Sequence, residues 1–556
     1  MSKPSVSQIH STPSLERSEA LSPTGESGER GWLGESLSNW RWWLCCLLFV
    51  ATTINYLDRQ VLSLTWKDFI APEFHWTNSD YGFITGSFSI FYAIISLFAG
   101  RFIDWAGTRK GYLIAIFVWS LGACLHAACG VATMWWTGVE NTAALVALQK
   151  GSALALTVST VSVWLFLACR AILALGEAGN FPAAIKVTAE YFPRKDRALA
   201  TSIFNAGASV GALAAPATIP LLARAWGWEM AFIFIGALGF IWMFFWATMY
   251  DKPEHSRHVN KAELAYINQD EKGLQPLTAA ASPHHASRFA PTVRGGFAAV
   301  ALSSPEAATD ASVSTRTATA PPSGAVGGAA PTIPFIRCFF YRQTWSFIAG
   351  KFFTDGVWWF FLFWAPAYFS DQYGYRSDSP QAIALIFVLY LIVTVLSIGG
   401  GYLPKYFVER RGMEPYAGRM LAMLLFAFFP LTALFAQPLG AYSAWFPAII
   451  IGLAGAGHQS WSANLYSTIG DMFPKSTVAT ITGIGTMAGG IASFLINMGS
   501  GVLFDYSAAQ GAAFSFLGFE GKEAGYMIVF CICAVAYIIA WSVMKALVPR
   551  YQKIEV

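Results

Sequence analysis

Residues 170–192 read RAILALGEAGNFPAAIKVTAEYF. This stretch is apolar and long enough to cross a bilayer, yet it carries Arg170 and Glu177. The two charges are seven residues apart, about two turns of helix, so they share one helical face. A charge near the centre of a bilayer costs at least a few kcal/mol unless it faces a polar cavity or a partner. Gly176 and Gly179 thin the helix beside them. Together these features point to a helix lining a polar cavity between packed helices. The competing reading is a buried structural ion pair.

The composition agrees with a membrane setting. Of 556 residues, 55% are hydrophobic and only 12% are charged, against about 25% charged in soluble domains. Mean hydropathy is +0.47. A spanning helix needs roughly 20 apolar residues, and many such windows occur, so the chain is expected to be a polytopic membrane protein. The 22 Trp and 21 Tyr suit interfacial belts and pocket walls. A net charge of +4 is too small to imply a nucleic-acid partner. The cysteines, Cys45, Cys46, Cys124, Cys129, Cys169, Cys338, Cys531 and Cys533, form no metal-like CxxC pair, and small buried residues are expected of them. The polar N-terminal tail lacks a short apolar core with a cleavage site, so no signal peptide is expected.

Apolar windows fall at about 43–64, 80–100, 111–130, 160–183, 200–222 and 231–250, and again at about 344–369, 382–400, 417–436, 442–466, 479–504 and 524–547. These windows predict an all-α integral membrane protein of twelve transmembrane helices in two pseudo-symmetric six-helix bundles. Internal repetition supports the division. GRFIDWAGTRKG from Gly100 is matched by GYLPKYFVERRG from Gly401. GEAGNFPAAIKVTAEYFPRK from Gly176 aligns without gaps on GHQSWSANLYSTIGDMFPKS from Gly457. The first half holds about twenty extra residues between Gly130 and Thr160, by comparing the spacing of these landmarks, and they are expected to form an outer loop or re-entrant turn. The expected organisation is a disordered tail (1–42), a bundle (43–250), a largely disordered linker (251–336), a second bundle (337–548) and a short tail (549–556). The linker opens with a helical stretch, NKAELAYINQDEKG, then turns Ala/Ser/Pro/Thr/Gly-rich, a composition that cannot bury a core. It contains no GxxxxGK[ST], which argues against an ATP-driven pump.

Basic residues alternate between loops. Arg109, Lys110, Arg194, Lys195, Arg197, Lys252, Arg257, Lys405, Arg410, Arg411, Arg419, Lys475, Arg550 and Lys553 fall on one side. The other side holds few. The positive-inside rule places both termini in the cytoplasm.

Four motifs carry the candidate chemistry. Gly100, Asp104, Gly107, Arg109 and Lys110 lie between the second and third spans. Glycine permits a tight turn, and an acid at a helix end can bond an opposed helix terminus or Arg and latch one conformation. NYLDRQ places Tyr56, Asp58 and Arg59 at a depth comparable to Arg170, so Asp58, Arg59, Arg170 and Glu177 are expected in one cavity; a position at the membrane surface is the alternative for the first pair. KFFTDGVWWFFLFW puts Lys351 and Trp358 in the seventh span, where Lys351 either faces the cavity or snorkels. GHQSWSANLYS puts His458, Gln459, Ser462 and Asn464 in the tenth, either as contacts to a polyhydroxy ligand or as polar glue between helices. GIGTMA at Gly483 has the GxGxxA spacing but no preceding strand, so helix packing is expected. No enzyme-like catalytic constellation and no metal cluster is visible.

The Gly100 loop resembles the signature of the major facilitator superfamily. NYLDR, RxxxxxGEAGNFPAAIK, KFxTDxVWWFxLFW, HQxWSAN and GIGxMAGGI resemble its anion:cation symporter branch, and the hexuronate transporters within it. The resemblance implies the major facilitator fold and proton-coupled import of a sugar acid, with the proton as coupling ion and no other cofactor. It implies Asp58 and Glu177 as the protonatable pair, Arg59 as carboxylate anchor and Arg170 as a partner exchanging between acids. Tyr56 and Tyr92 are implied as pocket residues. Asn205, His458, Gln459, Ser462 and Asn464 are implied as hydroxyl contacts. The expected partners are a small anionic substrate and the lipid bilayer of an inner membrane, with the protein a monomer. Other organic anions, a drug-efflux facilitator and a transporter-like sensor are the rival functions.

Overall fold

The computed structural model describes residues 37–269 and 333–554, except for some side chains near 194–202, 398–401 and 475–479. Most of the expected tail and linker thus lies outside the described residues. Twelve long helices are present among those described. The first six are α1 (Trp40–Thr65), α2 (Asn78–Ala106), α3 (Thr108–Leu125), α4 (Ala153–Glu177), α5 (Arg194–Trp226) and α6 (Trp228–Met249). The second six are α7 (Arg342–Tyr373), α8 (Pro380–Arg411), α9 (Pro415–Leu431), α10 (Trp445–Met472), α11 (Lys475–Gln510) and α12 (Gly521–Leu547).

Nine of the twelve, taken with the short helices that continue some of them, are long and apolar enough to cross a membrane. The three that are not, α1, α7 and α10, carry Asp58 and Arg59, Lys351 and Asp355, and His458. On α1 that polarity faces the other half, where Arg59 lies against Trp359 of α7.

Several helices outrun their hydrophobic windows because helix geometry continues after hydropathy falls. α8 runs on past its apolar window through LPKYFVERR to Arg411 and stops at Gly412, whose φ is +65°. The extra first-half residues extend existing helices. α3 continues through Cys129–Thr137 until Gly138, a short helix Thr142–Ala147 follows, and Ser152 caps α4 at Ala155. Leu145 of the short helix is fully buried, and its carbonyl meets His75 Nε2 at 2.9 Å. These residues therefore form a packed cap on the first bundle.

α3 and α4 touch backbone to backbone. A Cβ added at Gly176 would sit 2.2 Å from Trp119 N and 2.5 Å from Ala115 O. That closeness sets Asp58, Trp119 and Glu177 side by side.

The halves meet most extensively along α2 and α11. Between described residues, their cross-half hydrogen bonds and ion pairs lie at mid-depth or towards the face opposite the chain ends. Asp505 of α11 caps α2: its carboxylate accepts from Asn78 N at 3.0 Å and Ser79 N at 2.6 Å. Asp371 of α7 takes Lys67 at 2.8 Å from one half and Lys522 at 2.5 Å from the other. Asp68 accepts from Ser370 Oγ and Ser377 N. Gln60 donates to Tyr390 at 2.7 Å, and Ser493 to Ser89 at 2.7 Å. Three carboxylates thus close the far face.

On the face of the chain ends, a helix at Lys261–Ile267 docks under α1. Buried Glu263 accepts from Trp40 N, Arg41 N and Arg41 Nη1, which satisfies the start of the helix.

Gly176→Val should destabilise the detergent-solubilised protein by at least about 1–3 kcal/mol through overpacking. Gly470→Ala, where a Cβ meets nothing within 4 Å, should not. Thermal unfolding followed by tryptophan fluorescence separates them, and equal stability of the two variants would refute the contact.

Candidate substrate and proton site

The first half brings Asp58, Arg59, Arg170 and Glu177 together. They are only 2%, 3%, 2% and 0% exposed, so the cluster is shut away from bulk water in this conformation. Arg59 donates from Nε (3.0 Å) and Nη2 (2.6 Å) to the same oxygen, Glu177 Oε2. Its guanidinium is boxed by aromatic rings, with centroids of Tyr92 at 4.9 Å, Tyr56 at 5.1 Å, Trp359 at 5.1 Å and Phe88 at 5.9 Å. Cation–π attraction offsets part of the desolvation of a buried cation. Trp359 belongs to α7, so the box draws on both halves.

Neighbouring groups are unsatisfied. Among the described residues, both carboxylate oxygens of Asp58, Glu177 Oε1, and Arg170 Nε and Nη1 find no hydrogen-bond partner. The side-chain amide of Asn55 and the indole N–H of Trp119 are unpartnered too. Arg170 packs 5.3 Å from the Phe88 centroid and makes no ion pair among the described residues. Buried polar groups are normally bonded, and an unpaired one costs about 1–3 kcal/mol. Such a concentration marks a place that protons, water or a polar ligand would fill.

The second half presents its own pair. Lys351 Nζ lies 2.6 Å from Asp355 Oδ2 and donates to Tyr466 OH at 3.0 Å. Trp358 stacks on His458 at 5.3 Å with planes 4° apart, and His458 Nδ1 meets Tyr537 OH at 2.7 Å. Gln459 and Ser462 are half-buried on α10. Asn464 spends its amide on Gly400 O (3.1 Å) and Ser460 O (2.8 Å), tying α10 to α8. Asn205 is exposed on α5, with no hydrogen bond to the cluster.

The loop between α2 and α3 bonds within its own half. Asp104 takes Lys186 at 2.8 Å. Arg109 reaches Asp251 at 3.1 Å and Ala247 O at 2.6 Å. Gly107 has φ +77°, where a side chain would be strained. Nothing lies within 4 Å of a Cβ at Gly100, and Lys110 is exposed.

The candidate site drawn from the sequence leaves out Asn55, Trp119, Asp355, Trp359 and Tyr466. Asn55, Asp355, Trp359 and Tyr466 stand inside the quoted motifs, the first three as polar or aromatic members of the first and seventh spans. Trp119 is one Trp of 22 in an apolar span, with no local signal.

Two six-helix halves tied together at one end, with a buried charge cluster between them, make up an all-α membrane fold. The chain matches the family model of the Major Facilitator Superfamily over residues 48–496 and belongs to that family of transporters. It is similar to the "Hexuronate transporter" of Escherichia coli K12, at 24% identity over 468 residues, covering 84% of this chain and 88% of that one. It is 22% identical over 496 residues to the "Probable galactarate/D-glucarate transporter GarP" of the same organism, covering 88% and 94%. Among solved structures, an inward-facing, unoccupied bacterial homolog of the human lysosomal transporter Spinster superposes with a TM-score of 0.58 at 15% identity, covering 92% and 99%. That likeness shows the fold alone.

Removing Arg59 strands the Glu177 carboxylate. Arg59→Met should cost about 3–5 kcal/mol, and the double variant Arg59→Met/Glu177→Met should recover most of it. Thermal stability of the single and double variants tests this; an unrecovered double variant would show that the pair is not the source of the loss.

Proposed function

We propose that the protein is a proton-coupled symporter importing a sugar acid, most specifically a hexuronate, by alternating access. The observation that carries this reading is the buried Arg59–Glu177 pair in its aromatic box, flanked by the unpaired oxygens of Asp58. Similarity to transporters named for hexuronates and for galactarate/D-glucarate supports a sugar acid as cargo.

A proton arriving on Glu177 or Asp58 removes one negative charge from a set of two acids and two arginines. The site is left with a net positive charge. Arg59, released from Glu177, can then grip an incoming carboxylate through a charge-assisted, bidentate contact. The Tyr56 and Tyr92 rings already stand against that guanidinium and offer phenol groups to sugar hydroxyls. Gln459, Ser462 and His458 on α10 supply polar contacts from the other side. Arg170, without an acid of its own, stabilises Asp58 while it is ionised. Asp68, Asp371 and Asp505 tie the halves together at the far face, so release of cargo would be towards the face of the chain ends. Basic residues concentrated on that face support a cytoplasmic placement for it, in a cell whose inner membrane would hold the protein. We expect a monomer that needs no cofactor beyond the transported proton. The alternative is symport of another organic anion; exchange of Glu177 and Arg59 would affect it in the same way, and a substrate panel separates the two.

In liposomes with an acid-outside gradient, radiolabelled glucuronate or galacturonate should accumulate above equilibrium. Glu177→Gln should abolish that accumulation and leave counterflow exchange measurable; gradient-driven uptake that survives the change would remove Glu177 from proton coupling. Arg59→Ala should weaken glucuronate binding at least about tenfold, since a charge-assisted contact of roughly 1.5–3 kcal/mol is lost. Titration of the purified variant reads this directly, and unchanged affinity would take Arg59 out of the substrate site.

A further inference from the structure

We propose that Asp355 sets how many negative charges a substrate can carry, by holding the Lys351 ammonium already neutralised. This rests on the sugar-acid reading above and narrows it to monocarboxylates.

Lys351, Asp355 and Trp359 recur at four-residue steps along one face of α7. The Trp359 ring carries the Arg59 guanidinium at 5.1 Å. One helical turn separates Asp355 from Trp359, so the Lys351–Asp355 pair continues, from the opposite half, the face of α7 that meets Arg59.

The charges around this pocket balance: Arg59, Arg170 and Lys351 against Asp58, Glu177 and Asp355. One proton on the first-half acids leaves a single positive charge in excess, which matches one carboxylate. A sugar diacid brings two. The further cation it would need is Lys351, and Lys351 is tied at 2.6 Å to a carboxylate one turn away on its own helix. A rigid-body motion of either half carries both partners together and does not separate them. Gly489 of α11 keeps the pair in register: a Cβ there would stand 2.3 Å from Asp355 Oδ2. A second substrate carboxylate would approach Asp355 as a like charge in a desolvated site, which costs several kcal/mol.

The test uses liposomes with an acid-outside gradient, in which galacturonate (one carboxylate) and glucarate (two) compete with radiolabelled glucuronate. In the wild type, glucarate should inhibit at least about tenfold more weakly than galacturonate. Asp355→Asn should narrow or reverse that ratio by about tenfold or more. Gly489→Ala keeps every charge but pushes the carboxylate off Lys351, and should move the ratio in the same direction by less. Thermal-shift titration of the purified proteins with the same two acids gives the ratio even where a variant does not transport. A ratio unchanged in both variants overturns the proposal, as does a wild type that takes glucarate and galacturonate equally. A wild type that takes up neither acid sinks the sugar-acid reading itself, and this narrowing falls with it.

Discussion

An ionised side chain in a bilayer must bring its own solvent. In this protein the Glu177 carboxylate and the Arg59 guanidinium supply each other's, at 2.6 Å and with almost no exposure. Taking two such ions out of water costs several kcal/mol each. The return is not limited to their mutual attraction. Four aromatic rings surround the cation, and the first bundle packs so closely that α3 and α4 meet backbone to backbone at Gly176. The pair is thus a constraint on everything near it: which residues can be large, where glycine must stand, and why α1 cannot be as apolar as α2.

The same constraint explains the unpaired groups. Asp58, Arg170, Asn55 and Trp119 sit around the pair with polar atoms that nothing in the described protein satisfies. A structure kept for stability alone would replace them with apolar residues, since buried ion pairs often gain nothing over well-packed hydrophobics. The symport proposed above requires a site that changes its charge during a cycle, which such a replacement would forbid. On that reading, the unpaired atoms are the places where a proton or a carboxylate would change the balance by one.

The sequence made much of this visible, for a physical reason. Hydropathy reports what lipid tolerates, so the twelve spans, their division into halves and the four charges out of place in them were legible residue by residue. Arg170 and Glu177 on one face, and Asp58 and Arg59 at matching depth, needed only helix geometry. What was not legible is what helix packing decides. Nothing local says that Arg59 pairs with Glu177 and leaves Asp58 alone, that Trp119 backs Asp58, or that Asn464 turns to Gly400 O and Ser460 O. The residues between Gly130 and Thr160 were opaque because a helix that outgrows the bilayer looks, in hydropathy, like a loop that is too apolar. Closure of the far face by Asp68, Asp371 and Asp505 was hidden for the same reason that it works: carboxylates at helix ends are unremarkable until the partner half supplies their donors.

That closure and the charge cluster are joined through two helices. α1 carries Asp58 and Arg59, and about 12 Å further along it come Lys67 and Asp68, which bond the other half. α7 carries Lys351, Asp355 and Trp359 near its middle and Ser370 and Asp371 at its far end. The second station itself sits in a π turn, Trp66–Ile70, that continues α1, an irregularity common at functional sites. In the proposed cycle, a change in how Arg59 is held, whether by Glu177 or by a substrate carboxylate, would alter its contact with Trp359 and hence the seating of α1 on α7. The far ends of those two helices are the ones that Asp68 and Asp371 lock. In that cycle, coupling between cargo and gate would need no long relay, because one pair of helices bears both.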